Sequence, residues 1–241
     1  MPSSATTLLR LMGLASPALP VGGFSYSEGL EPAVEAGMVS NETETAEWLL
    51  NQLHTGLARA ELPAVARAFD AWQRVAVDVA DGADVAAAVE AIDAINAWVR
   101  RTRETAEQRQ QTEQTGRSLA EWLRNSADAA DPRVALLAAM KPAPTWPVAF
   151  ALAAAFTGAN RSEAVLAYTF GWAENMCQAA MKAVPLGQLA AQRVLAQLVL
   201  VIPDLATAAA ALPSDQRQAF TPMLAILSAQ HETQYSRLFR S

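Results

Sequence analysis

The chain has 241 residues, 52% apolar and 17% charged, with a formal net charge of −6. This composition can bury a core unaided and excludes an intrinsically disordered chain. One cysteine excludes a disulfide scaffold or a CxxC motif, two distant histidines exclude a multi-histidine metal site within one chain, and the absence of a basic tract argues against a nucleic-acid partner.

Alanine supplies 53 residues, which favours helix, and alternating β-branched runs are missing. The expected fold is therefore all-α, a single-domain bundle of about eight to ten alanine-rich helices over residues 1–241. A short first helix spans about residues 5–13. The loop Ala15 to Phe24 follows, with Pro17, Pro20, Gly22 and Gly23. Ser25 and Glu28 fit a capping box for the second helix. Pro32 is awkward in that helix interior, so a start one turn later, at Glu31, is the alternative. Gly37 ends the helix. Asn41 or Thr43 caps a third, through about Ala60.

A fourth helix is expected from Pro63, with Val65, Phe69, Trp72, Val75, Ala76 and Val79 inward, stopping at Asp81-Gly82. A fifth starts at Asp84. The sixth, about 103–125, is rich in glutamine (Gln108, Gln110, Gln111, Gln114) and reads as an open or inter-subunit face. A polar loop covers 125–133, and a short helix reaches Met140. Lys141 to Pro147 should be extended, because each proline disfavours helix in its predecessor. Pro147 opens an apolar helix that belongs at the centre of the protein. Asn160 and Glu163 cap a long helix to about Val184. Pro185-Leu186-Gly187 breaks it, and the next runs to about Val201. Pro203 and Pro213 delimit a small helix, and 214–229 forms the last. The polar tail, about 230–241, is expected to be mobile. The longest uncharged apolar stretch, Pro147 to Asn160, is short of the roughly 20 residues a membrane span needs. The leucine-rich start lacks a basic region, so no signal peptide is expected and the cytoplasm is the expected location.

Chemistry intrinsic to the chain is disfavoured. No GxxxxGK[ST], GxGxxG, HExxH or GxSxG pattern occurs. Cys177 reads as a buried small hydrophobe and His54 as a partly exposed structural residue. Glu28 and Glu31 read as carboxylates serving a helix N-terminus. Glu174 reads as exposed or at an interface. Two strings resist a packing account: Ser16-Pro-Ala-Leu-Pro-Val-Gly-Gly-Phe-Ser-Tyr-Ser-Glu-Gly-Leu-Glu31, and Lys182-Ala-Val-Pro-Leu-Gly-Gln-Leu-Ala-Ala-Gln-Arg193.

Those strings resemble the signatures of the urease accessory protein family UreF. Arg103-Glu104 with Gly116 downstream, Pro147-Val-Ala-Phe150, and the terminal Arg237-Leu-Phe-Arg-Ser241 are similar to further family segments. The resemblance covers nearly the whole chain, with two departures. Thr145 stands where many members have His, and Ala191 where many have Gly.

The resemblance implies an all-α homodimer with no enzymatic activity and no metal site of its own. It implies binding to UreD (UreH in some bacteria) and the GTPase UreG, in a complex that delivers nickel to the urease apoprotein and modulates UreG. No cofactor is expected to bind firmly; nickel passes through the complex. The residues implied to meet partners are Pro17, Pro20, Gly22, Tyr26, Glu28 and Glu31; Arg103 and Glu104; Lys182, Pro185, Gly187, Gln188 and Arg193; and Tyr235, Arg237, Leu238, Phe239 and Arg240. Two other readings stay open: an α-helical enzyme, which needs a closed pocket of roughly 300 Å³ with convergent polar groups, and another helical protein-binding module. A membrane-surface module would need a basic amphipathic face, which the tail's two arginines do not supply.

Overall fold

A computed structural model describes residues 4–75 and 82–241. Among these residues every regular element is helical, as the composition requires. Ala76, Val79 and Asp81, expected at the end of the fourth helix, lie outside the described residues.

The chain opens with α1 (Ala5–Ala15), capped by Ser4, whose hydroxyl accepts the Thr7 N–H. A 3₁₀ turn (Gly23–Ser25) precedes α2 (Leu30–Glu35). The expected Ser25/Glu28 capping box does not form. Glu28 and Gly29 take left-handed backbone, at φ 49° and 82°, so helix begins only at Leu30, close to the later alternative. Any side chain at 29 would also run into Leu224, which accounts for glycine there.

Asn41 caps α3 (Glu42–Gln52), which continues without a break through a π-helical segment (Leu53–Glu61) into α4 (Leu62–Val75). Pro63 was expected to start a new helix. Instead the wider π turns absorb it. The Arg59 carbonyl, four residues back, accepts the Gln218 N–H at 3.0 Å from a distant segment. That bond replaces the one Pro63 cannot make.

The second half follows the expected order more closely. Helix α5 (Gly82–Arg101) leads to α6 (Ala106–Arg124), capped by Thr105, and then to α7 (Pro132–Ala139). Helix α8 (Trp146–Ala155) is buried from Pro147 through Ala154 and lies between α4 and α6. The Trp72 indole N–H donates to its Val148 carbonyl at 3.1 Å. Gly116 on α6 lies so close to the Pro144 carbonyl that an added Cβ would fall on it, so this crossing requires glycine. The Asn160/Glu163 capping box opens α9 (Arg161–Ala183) as anticipated.

Helix α10 (Gln188–Ala211) differs from expectation. It runs through Pro203 as a single 24-residue helix. One side packs on α9 through Ala191, Val194, Leu198 and Ile202, and packing outweighs the single lost hydrogen bond. It is long and apolar enough to cross a membrane by length and composition, although the uninterrupted apolar stretches had read as too short. Its other side exposes Leu189, Val199 and Leu200. A 3₁₀ turn (Ser214–Gln216) and α11 (Pro222–His231) complete the chain.

Candidate partner-docking site

The loop after α1 is drawn inward by its apolar residues. Leu19, Val21 and Tyr26 are buried, whereas Pro20 and Phe24 stay exposed. Gly22, at φ 76°, turns the chain into the 3₁₀ segment. The Asn175 amide of α9 donates to the Gly23 carbonyl at 3.1 Å, and the Tyr26 hydroxyl donates to Gln114 at 3.0 Å. Burial raises the Tyr26 pKa, with Arg240 pulling the other way.

This loop walls a cavity of about 120 Å³ floored by α6 and α9. Pro17, Glu28, Glu61, Arg103, Gln111, Tyr168 and Trp172 are among its lining residues. The Arg103 guanidinium and the Tyr168 hydroxyl both donate to Glu61. Glu28 accepts from the Trp172 indole at 2.8 Å and the Gln111 amide at 2.7 Å. Burial, then the nearby Glu61 charge, raises the Glu28 pKa. Burial, then Glu61, raises Tyr168 well above its ordinary value. Burial pulls Arg103 down, but Glu61 outweighs it and the net shift is upward.

Glu31 does stand in the first turn of α2, as expected, whereas Glu28 lies before the helix. Glu28 faces the cavity, and Glu31 holds the tail. Its Oε1 accepts the Leu238 N–H at 2.7 Å, and its Oε2 the Phe239 N–H at 2.9 Å. The tail, expected to be mobile, packs here against its own chain. Ser27 donates through N–H and hydroxyl to the Ser241 carbonyl, at 2.8 and 2.6 Å. Arg240 N–H donates to the Ser25 carbonyl, and the Arg237 guanidinium to Glu107 at 2.5 Å. Composition showed the tail's polarity but not that buried acceptors were waiting for it.

The third segment joins the other two. Lys182, in the last turn of α9, places its ammonium 5.8 Å from the Phe24 ring and 5.7 Å from the Phe239 ring. Cation–π attraction of this kind contributes about 0.5–1 kcal/mol at exposed sites. Pro185, Gly187, Gln188 and Arg193 are exposed beyond it. Arg193 forms a two-point ion pair with Glu42, at 2.8 and 2.6 Å, which lowers the Glu42 pKa. Tyr235, Arg237, Leu238 and Arg240 are exposed, whereas Phe239 is buried. Arg103 and Glu104 part company: Arg103 lines the cavity and Glu104 is exposed.

The comparisons with known proteins bear directly on these segments. The UreF family model matches residues 39–199. The urease accessory protein UreF of Methylibium petroleiphilum is 59% identical over 240 residues, covering 100% of this chain and 96% of that protein. The chain belongs to the UreF family. It is thus a urease accessory protein, with a part in urease maturation. UreF of a Polaromonas species is 56% identical over 237 residues, covering 98% and 96% of the two chains. The bifunctional urease accessory protein UreEF of Bordetella bronchiseptica is 44% identical over 241 residues, covering 98% of this chain and 52% of that protein. The whole-length relatives extend over the loop and the tail, which the family model leaves out.

The candidate site also gathers residues not singled out in the sequence: Phe24, Ser27, Glu61, Glu107, Gln111, Tyr168, Trp172 and His231. Helix α6 is only partly open: Arg109 and Gln110 are exposed. Glu107, Gln111 and Gln114 recur at helical spacing and turn toward partners in their own chain, His231, Glu28 and Tyr26. Among the described residues no group of three or more His, Cys, Asp or Glu could hold a metal ion. Thr145, at the position where histidine was expected from the resemblance, is fully buried and donates its N–H to Asn96 at 2.7 Å. Cys177 is buried, with its thiol pushed up to about 12 by burial and by Glu174.

Proposed function

We propose that this chain is a non-catalytic docking component of a urease maturation complex. It meets UreD and the GTPase UreG through the surface where the 16–31 loop, the 182–193 turn and the tail converge. The complex delivers nickel to the urease apoprotein with GTP hydrolysis, and this chain modulates UreG. Nickel passes as cargo and is not held by a resident ligand set. The location is cytoplasmic.

The carrying observation is the convergence itself. Three segments far apart in sequence meet at Lys182, Phe24 and Phe239, and the tail residues flanking Phe239, Leu238 and Arg240, are exposed. Tyrosine and arginine are the residue types that dominate interface energetics. The exposed Leu189, Val199 and Leu200 of α10 suit a second copy of the chain, since obligate interfaces are large and relatively apolar. The cavity behind the loop, about 120 Å³, falls below the size usual for a ligand pocket, and a second, more open one of about 330 Å³ lies beside Glu35, Gln230 and Tyr235. The fused relative named UreEF supports UreE as a further neighbour in the same assembly.

The test is co-expression of the urease subunits and the other accessory proteins with and without this chain, scoring nickel-dependent urease activity. Dependence on the chain supports the reading. Full activity without it contradicts the reading.

A further inference from the structure

A cluster of buried titratable groups, His231, Glu31 and Glu107, lies outside the cavity. His231, at the end of α11, has a fully buried side chain. Its Nδ1 is 2.6 Å from Oε2 of Glu107, and its Nε2 is 3.2 Å from Oε2 of Glu31. A carboxylate oxygen can only accept. A neutral imidazole has one N–H, so one ring nitrogen would turn a lone pair toward a carboxylate. The cluster therefore needs one proton more than a neutral ring and two carboxylates supply.

The remaining bonds favour the ring as the place of that proton. Both oxygens of Glu31 already accept backbone N–H groups, from Leu238 and Phe239. Oε1 of Glu107 accepts from Arg237. Donors on this scale favour the charged form of a carboxylate. The other charged group is Glu232, which accepts the Glu107 N–H at 3.1 Å. Three carboxylates thus face one arginine, and a cationic ring reduces the imbalance.

We propose that His231 is an imidazolium clasp, and that segment 232–241 docks on Glu31 and Glu107 with uptake of one proton. The docked form then holds more protons than the released form. Docking strengthens as pH falls and weakens as pH rises. Where the released ring is neutral and the docked ring charged, the docking constant changes about tenfold per pH unit.

Two measurements on the full-length chain test this. The first is ¹H–¹⁵N spectroscopy of the imidazoles. Only His54 and His231 contribute, and His54 is exposed, so His54→Gln assigns both. At about pH 8 His231 should show two protonated nitrogens and His54 one. A single protonated nitrogen on His231 with the tail docked would overturn the proposal. The second is hydrogen exchange of residues 232–241, corrected for the intrinsic pH dependence. Protection should fall with rising pH in the parent chain and be low at every pH in His231→Gln. Protection independent of pH would also overturn it. The spectroscopy needs no variant at His231, so it stands even if His231→Gln folds poorly.

Discussion

The Glu31 carboxylate accepts the backbone N–H of Phe239 at 2.9 Å, joining residues 208 positions apart. A buried carboxylate at the start of α2 is therefore satisfied by the tail and by His231, not by its own helix. The same contact brings Phe239 to Lys182 and completes the surface shared by loop, turn and tail.

Glu28 should make stability depend on pH with a definite sign. Burial and Glu61 raise its pKa in the folded chain. The folded state therefore binds more protons than the unfolded state, whose glutamates titrate near about 4.3. The stabilising contribution is present in acid and is lost as pH rises through the raised value. In Glu28→Gln the amide cannot accept from both Trp172 and Gln111, so this variant melts below the parent in acid. The gap should narrow as pH rises toward neutrality. Thermal melts across that range check it, and a constant gap would refute it.

Arg103 donates to Glu61 and lies near Glu28, two carboxylates largely withdrawn from solvent. Removing one partner of a buried ion pair costs about 3–5 kcal/mol, because the other charge is stranded. Arg103→Met should lose about 3 kcal/mol in urea unfolding. Adding Glu61→Gln should restore part of the loss. Additive losses would show that the pair is not coupled.

Two glycines on helices should respond oppositely to alanine. At Gly116 the new Cβ falls on the Pro144 carbonyl, so α6 and the approach to α8 must separate. A loss of about 2 kcal/mol or more is expected, as for other overpacked cores. At Gly13 in α1 nothing lies within 4 Å of the new Cβ. Gly13→Ala should therefore gain up to about 1 kcal/mol from helix propensity. Denaturant midpoints compare the two directly, and equal effects would contradict the packing argument.

Cys177 should be inert in the folded chain. With the thiol at about 12, the thiolate fraction at pH 8 is about one in 10⁴. Reaction with a chromogenic disulfide should be slow in buffer and fast in concentrated urea. Rapid reaction under native conditions would show that α9 opens locally.

Local rules and hydrophobic period made most of the fold legible. Asn41, the Asn160/Glu163 pair and the apolar run after Pro147 each specify their helix by capping or burial. Proline was over-read. Pro63 and Pro203 signal breaks by local rules, but tertiary partners and packing carry helix through both. The site was only half legible. Its loop and turn stood out because packing could not explain them. Glu61, Gln111 and Tyr168 did not, because a polar residue on a helix reads as solvated until a distant partner faces it. The tail was misread for the same reason: its anchors are Ser27, Glu31 and Glu107, brought there by long-range folding.

The central claim is that the shared surface acts by docking partners. Gln188 and Arg193 of the 182–193 segment and Tyr235 of the tail are exposed and contribute little to the core. The most direct measurement is nickel-dependent urease activity in cells carrying the Gln188→Ala/Arg193→Ala/Tyr235→Ala chain, with the variant's melting temperature measured beside it. The Arg193–Glu42 pair is exposed and screened by solvent, so the melting temperature should barely move. Interface anchors are worth about 2 kcal/mol or more, so urease activation should fall about tenfold or further. Full activation by a stably folded variant would contradict the account.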